Sequence, residues 1–265
     1  MTDTEIDALE FRGWPADGLV FLDELARDNS RRFWTDNADR YRVALREPTR
    51  ALAAALTEEF GPPRVFRPHV DRRFRPSADP YRTDMGATVG SSGGTPYAVV
   101  LSTRGLAVQV GYQRFDAGQL RRYRAAVDAE AGEELIAVLA VLAGAGLIPD
   151  GVSALTGWPR GCRRDHPRMP LMRLRGLHVD RMWPAGDWLA TGEALERVRE
   201  AWRAARPLAA WLDEHVGPRT EQLGVGRSAA ASTEVPSGAP ADTGPGGTAD
   251  HEATHSAVPG EVDSV

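Results

Sequence analysis

Residues 97–112 read YAVVLSTRGLAVQVGY. Two runs rich in β-branched and apolar residues, Tyr97 to Ser102 and Leu106 to Tyr112, flank Thr103-Arg104-Gly105, and this pattern predicts a β-hairpin. What surrounds it is helical. Asp116 and Gln119 have the spacing of a capping box and open a helix running to about Ala131; Glu133 to Ala145 continues as a second helix, ended by Gly146. Thr191 caps a helix carrying Leu195, Val198 and Trp202, and Pro207 starts another with Leu208, Trp211 and Leu212. A loop rich in Gly, Pro and Arg over 155–182 contains a short strand at about Leu171 to Leu177.

On the N-terminal side, Leu19, Leu22, Leu25 and Ala26 recur at helical spacing behind Trp14-Pro15, and Asn29-Ser30 breaks the pattern. Trp34, Tyr41 and Leu45 mark a second helix whose face is resumed by Leu52, Leu56 and Phe60. Pro48 lies between, and its missing donor predicts a kink or two abutting helices there. Between these helices and the hairpin lies 64-RVFRPHVDRRFRPSADPYRTDMG-86, where Pro68, Pro76 and Pro80 exclude one long central strand. A short strand, a turn and a second extended piece are expected. Gly90 to Gly94 is a connector that leads into a strand, which excludes a helix-capping phosphate loop. The expected fold is a single α+β domain over residues 1–216, with a small, mostly antiparallel sheet that includes the hairpin, packed with N-terminal and C-terminal helices. Residues 217–265 are low in apolar residues and rich in Gly, Ala, Ser and Pro, and are expected to be a disordered acidic tail.

The formal charge of −5 understates how balanced the domain is. Residues 217–265 hold seven acids and two arginines, so 37 − 7 leaves 30 acids and 32 − 2 leaves 30 arginines. That balance argues against a nucleic-acid partner held by counterion release. The chain contains no lysine, so Schiff-base chemistry is excluded and every fixed cation is a guanidinium, suited to bidentate capture of carboxylate or phosphate. A lone cysteine, Cys162, excludes an internal disulfide and a multi-cysteine metal site. The acidic N-terminus carries no export signal, and the apolar run Leu135 to Ile148 is too short for a membrane span, so a cytoplasmic protein without a membrane partner is expected. No cofactor or metal is implied: His69, His166 and His178 have no ligand spacing. Nor does any serine sit in a nucleophile elbow.

Several separated motifs together resemble one family. They are Asp28-Asn29 with Phe33-Trp34 and Tyr41; Arg67-Pro68 with Asp71, Arg73 and Phe74; Pro80-Tyr81-Arg82-Thr83; the hairpin before Gln119-Leu120; and Pro159-Arg160-Gly161 with Asp165-His166-Pro167. They span most of residues 11–212, and the family is domain of unknown function 2461, conserved hypothetical proteins of bacteria and fungi. The chain departs from it at Phe33-Trp34, where the family shows Trp-Phe, and at Arg75-Pro76-Ser77-Ala78, which lacks an acid and a lysine. The resemblance implies a single α+β domain and no established reaction.

Two candidate sites follow. Arg72, Arg73 and Arg82, with Tyr81 and Thr83, are candidates to bind an anionic, phosphorylated small molecule, joined by Arg160 from the 159–167 loop. The alternative is that Asp71, Asp79 and Asp84 hold these arginines in structural ion pairs. Asp165-His166 is a candidate general acid or base in that loop; the alternative is that Asp165 caps a turn and His166 satisfies a backbone group. The chain is thus an enzyme or small-molecule binder with an arginine-lined site, or else a non-catalytic interaction domain.

Overall fold

The backbone folds into a five-stranded antiparallel meander in which spatial order follows chain order. Its strands are β1 (Arg64–Val65), β2 (Met85–Gly90), β3 (Pro96–Ser102), β4 (Gly105–Tyr112) and β5 (Leu177–Pro184). The computed structural model describes residues 10–70, 73, 77–149 and 153–219, which lie in one compact unit. The expected α+β class and the central hairpin are both present, with Val99 opposite Val108 and Leu101 opposite Leu106. Most of the expected tail, 220–265, lies outside the described residues.

Strand alternation sorts the side chains. Met85, Ala87, Val89, Tyr97, Val99, Leu101, Leu106, Val108, Val110, Leu177, Val179 and Trp183 belong to one continuous core. Helix α4 (Glu47–Phe60) packs over β2, while α8 (Glu193–Ala204) and α9 (Arg206–His215) pack over β4. Trp202 is fully buried there between Phe60 and Tyr97. Helices α5 (Ala117–Asp128) and α6 (Ala131–Gly144) complete that layer beside α9. The capping box of α5 forms as the sequence predicts, with Asp116 accepting from the Gln119 amide at 2.7 Å. Among the described residues no helix is long and apolar enough to cross a membrane.

Burial fixes the phenols in their neutral form. Desolvation pushes Tyr41 and Tyr97 up to about 12 and Tyr123 further. An unfolded tyrosine ionises near pH 10, so this contribution is complete below about pH 10 and is lost as pH rises toward 12. Phenolate absorbance should therefore rise together with loss of near-UV circular dichroism; ionisation near pH 10 with the fold intact would contradict it.

The turn between β2 and β3 is tied down by α9. Asp213 accepts from Ser91 Oγ at 2.8 Å, Thr95 N at 3.0 Å and Thr95 Oγ1 at 2.6 Å. Nearby, Glu59 at the end of α4 holds Arg203 at 2.7 Å and Arg206 at 2.5 Å. Hydrogen bonding from Arg203 keeps its carboxyl below the usual range. Its contribution is present above about pH 4.5 and fades as pH falls through the lowered value. Glu59→Gln should cost about 1 kcal/mol at neutral pH, read by chemical denaturation. Equal stability at pH 7 would show the cluster to be inert.

One expectation needs correction. The strand placed at 171–177 is instead a short helix, α7 (Met169–Met172), followed by β5 from Leu177. Pro170 suits a first helical turn. Gly176 passes so close to the Gln113 carbonyl, 2.2 Å from where a Cβ would sit, that the ladder begins only beyond it. The abutting helices expected at Pro48 are present, for α4 opens with Pro48 in its first turn directly after a π turn. There α2 (Arg31–Asp36) and α3 (Ala38–Tyr41) lead into a π turn at Arg42–Arg46, closed by the Glu47 amide donating to the Arg42 carbonyl, and α4 follows. Proline at 48 has no N–H for the Ala44 carbonyl, and the wider turn absorbs that loss. Helix α1 (Ala16–Arg27) uses the space: Gly18 lies against the Ala44 carbonyl, 2.9 Å from where a Cβ would stand.

A candidate ligand cleft

The described flanks of the arginine-rich stretch, 64–70 and 80–86, pair with each other as an antiparallel arm rather than one long strand. Beyond β1, Phe66 N donates to the Gly86 carbonyl at 2.8 Å, Arg82 N to Pro68 at 2.8 Å and Val70 N to Pro80 at 2.9 Å. The arm is fastened to the helices by Asn29, whose side-chain amide donates to the Tyr81 carbonyl and accepts from its N–H, each at 2.9 Å. Trp34 then lies flat on Tyr81, with centroids 4.5 Å apart and planes 8° from parallel, and its edge meets His69.

Between this arm and the wall formed by α3, the π turn and α4 lies a cleft of about 1050 Å³. Its lining carries Arg42, Arg46, Arg50 and Arg67 against the carboxylate of Asp39, with His69 and Trp34 at one end. The floor is cut deep by small side chains, Ala53, Ala54 and Thr57, and faced by Pro62, Pro63 and Val65. Arg42 is committed to Asp39 and Glu47. Arg46, Arg50 and Arg67 make no hydrogen bond or ion pair with any described residue, so three arginines with unengaged donors line one space. Tyr41 in the wall is held neutral by burial and its hydroxyl meets Met85 Sδ at 3.4 Å, which removes it as a base.

The residues singled out in the sequence are divided between two places. Tyr81 is buried as the stacking partner of Trp34 and so shapes the cleft. Arg82 closes its fork on Asp84 at 2.7 and 3.1 Å, in a pair 17% exposed on each side, and lies over the Phe66 ring at 4.7 Å. Thr83 is partly buried beside it and Arg73 is exposed. Arg72, together with Asp71, Phe74, Arg75 and Pro76, lies outside the described residues. Arg160, Asp165 and His166 sit elsewhere, ahead of α7 and β5, and none of them lines the cleft. Arg160 is exposed. Asp165 pairs with Arg163 at 2.8 Å on the open surface, which lowers its pKa. His166 turns to Asp128 instead: Nε2 meets Asp128 Oδ1 at 2.9 Å and Nδ1 accepts from the Arg168 amide at 3.0 Å. With both ring nitrogens engaged, His166 clamps its turn to the end of α5. Among the described residues no group of three or more His, Cys, Asp and Glu side chains gathers to hold a metal.

The match to the family described as conserved hypothetical protein DUF2461 covers residues 17–211, from the start of α1 into α9. The chain belongs to this family. Searches of curated proteins and of solved structures returned no match. The DUF2461 match takes in the whole cleft, both its helical wall and its arm.

Sequence reading missed the helical wall. Its signal was present: Arg42, Arg46 and Arg50 repeat every four residues, a like-charge spacing that destabilises a helix by itself and so calls for a counterpart. Trp34, which marks the same helix face as Tyr41 and Leu45, is only partly buried and borders the cleft.

Proposed function

We propose that this DUF2461 protein binds an anionic small molecule in the cleft between the π turn and the arm that follows β1. The observation that supports this reading most is that three arginines left without a carboxylate partner among the described residues line one cleft. Arg40, Arg82, Arg163, Arg168, Arg197, Arg199, Arg203 and Arg206 are each paired with a carboxylate. Arg46, Arg50 and Arg67 have no such partner among the described residues and converge on one cleft. Like charges held together without counterions repel, and an anion that enters relieves that repulsion while accepting bidentate hydrogen bonds. At about 1050 Å³ the cleft lies at the upper limit of small-molecule sites, which run to about 1,000 Å³.

Calorimetry and thermal shift on the full chain with phosphate, pyrophosphate and citrate test this. At least one anion should bind with a rise in melting temperature that shrinks as salt increases. Binding should be lost in the double variant Arg46→Gln/Arg50→Gln. No response to any of the three, or an equal response in the variant, would refute it.

A further inference from the structure

The cleft's charge and its shape together narrow the ligand, given the anion-binding reading above. Arg46 and Arg50 stand one helical turn apart on one wall, and Arg67 reaches in from the facing arm. Separate forks at these spacings call for more than one set of acceptor oxygens. A phosphomonoester brings about −1.5 to −2 charges near pH 7, which leaves a guanidinium unneutralised; a diphosphate supplies the missing charge. Bare inorganic anions leave the rest of the cleft unused. Its volume of about 1050 Å³ is floored by Ala53, Ala54, Pro62, Pro63 and Val65 and walled by Phe66, all apolar. Water against such a surface is displaced favourably by an apolar body. Small side chains at 53 and 54 leave room on the floor that larger ones would fill.

We infer that the ligand is an organic diphosphate: a diphosphate head on Arg46, Arg50 and Arg67, and an apolar or planar body on the floor beside Trp34. Nucleotides and prenyl diphosphates share this chemistry, and binding distinguishes them. Titration calorimetry of the full chain with pyrophosphate, ADP and geranyl diphosphate should show at least one organic diphosphate binding about tenfold or more tighter than pyrophosphate, since several buried carbon groups supply that factor. A gain for ADP alone assigns a nucleotide; a gain for geranyl diphosphate alone assigns a prenyl chain.

Ala54→Leu, which adds bulk to the floor one turn beyond Arg50 and leaves all three guanidiniums in place, should abolish the organic gain and leave pyrophosphate binding within about twofold, a change too small for a lost direct contact. Far-ultraviolet circular dichroism of this variant should match the parent. Pyrophosphate binding with no gain for either organic ligand, or an equal loss for all three ligands in Ala54→Leu, overturns the inference and leaves the anion site standing. Failure of phosphate, pyrophosphate and citrate alike removes both.

Discussion

The substitution Gly111→Ala is expected to cost about 3 kcal/mol, and in a domain of this size to lower the melting temperature by roughly 6–12 °C. Gly111 is the next-to-last residue of β4, with φ at +116°, where side chains other than glycine are strained. Its neighbours leave no room either. A Cβ there would stand 2.3 Å from the Leu177 carbonyl oxygen and 2.8 Å from His178 Cα. Both atoms are backbone of β5, so relief means separating β4 from β5. Gly90→Ala is the control: it is also in a strand, at the end of β2, but nothing lies within 4 Å of its Cβ position. Thermal melts of the two variants should differ by most of the stated interval. Equal melting temperatures would show that β4 and β5 part at little cost.

The largest functional effect is expected from the cleft wall. Hydrogen bonds from a charged donor are worth about 1.5–3 kcal/mol each, so Arg46→Gln/Arg50→Gln should weaken anion binding by roughly two to four orders of magnitude. Lysine at both positions keeps the charge and loses the planar fork, so Arg46→Lys/Arg50→Lys should fall between the parent and the glutamine variant. A second readout separates binding from structural roles. With no anion present, removing two like charges at i,i+4 spacing should leave the protein as stable as before or a few tenths of a kcal/mol more stable. Loss of several kcal/mol in the ligand-free variant would instead mean that these arginines hold the fold.

Elements whose cause is local were legible in the sequence. The hairpin, the Asp116–Gln119 box and the break at Asn29-Ser30 depend on neighbours within a few residues, and each stands where expected. The arm was legible too, because Pro68, Pro76 and Pro80 lack donors that one long central strand would need. Contacts between distant residues were not. His166 finds Asp128, 38 residues away, rather than the adjacent Asp165. The Ser91-to-Thr95 turn depends on Asp213, more than a hundred residues later. Sequence proximity suggested Asp165 with His166, and abundance of arginine pointed to the arm; the open guanidiniums are instead shared between the arm and the helix before it. Which arginines are already spent on carboxylates is a tertiary fact: Arg203 and Arg206 pair with Glu59 on another helix, while Arg50 and Arg67, on separate elements, line one cleft.

The π turn bears on the cleft through phase. Four residues of α-helix overshoot a full turn by about 40°, so arginines repeated at that interval drift steadily around the axis. In the wider turn at Arg42–Arg46 four residues fall short of a full circle, so the step from Arg42 to Arg46 winds back what the step from Arg46 to Arg50 winds forward. The three guanidiniums thereby keep one azimuth and face one cleft. Removing a residue from that turn, which would restore a regular helix, would rotate everything before it by about 100° and carry Arg42 and Trp34 out of line with Arg50. Pro48 is thus a timing element: by withholding one hydrogen bond it sets the angular register in which the charges are presented.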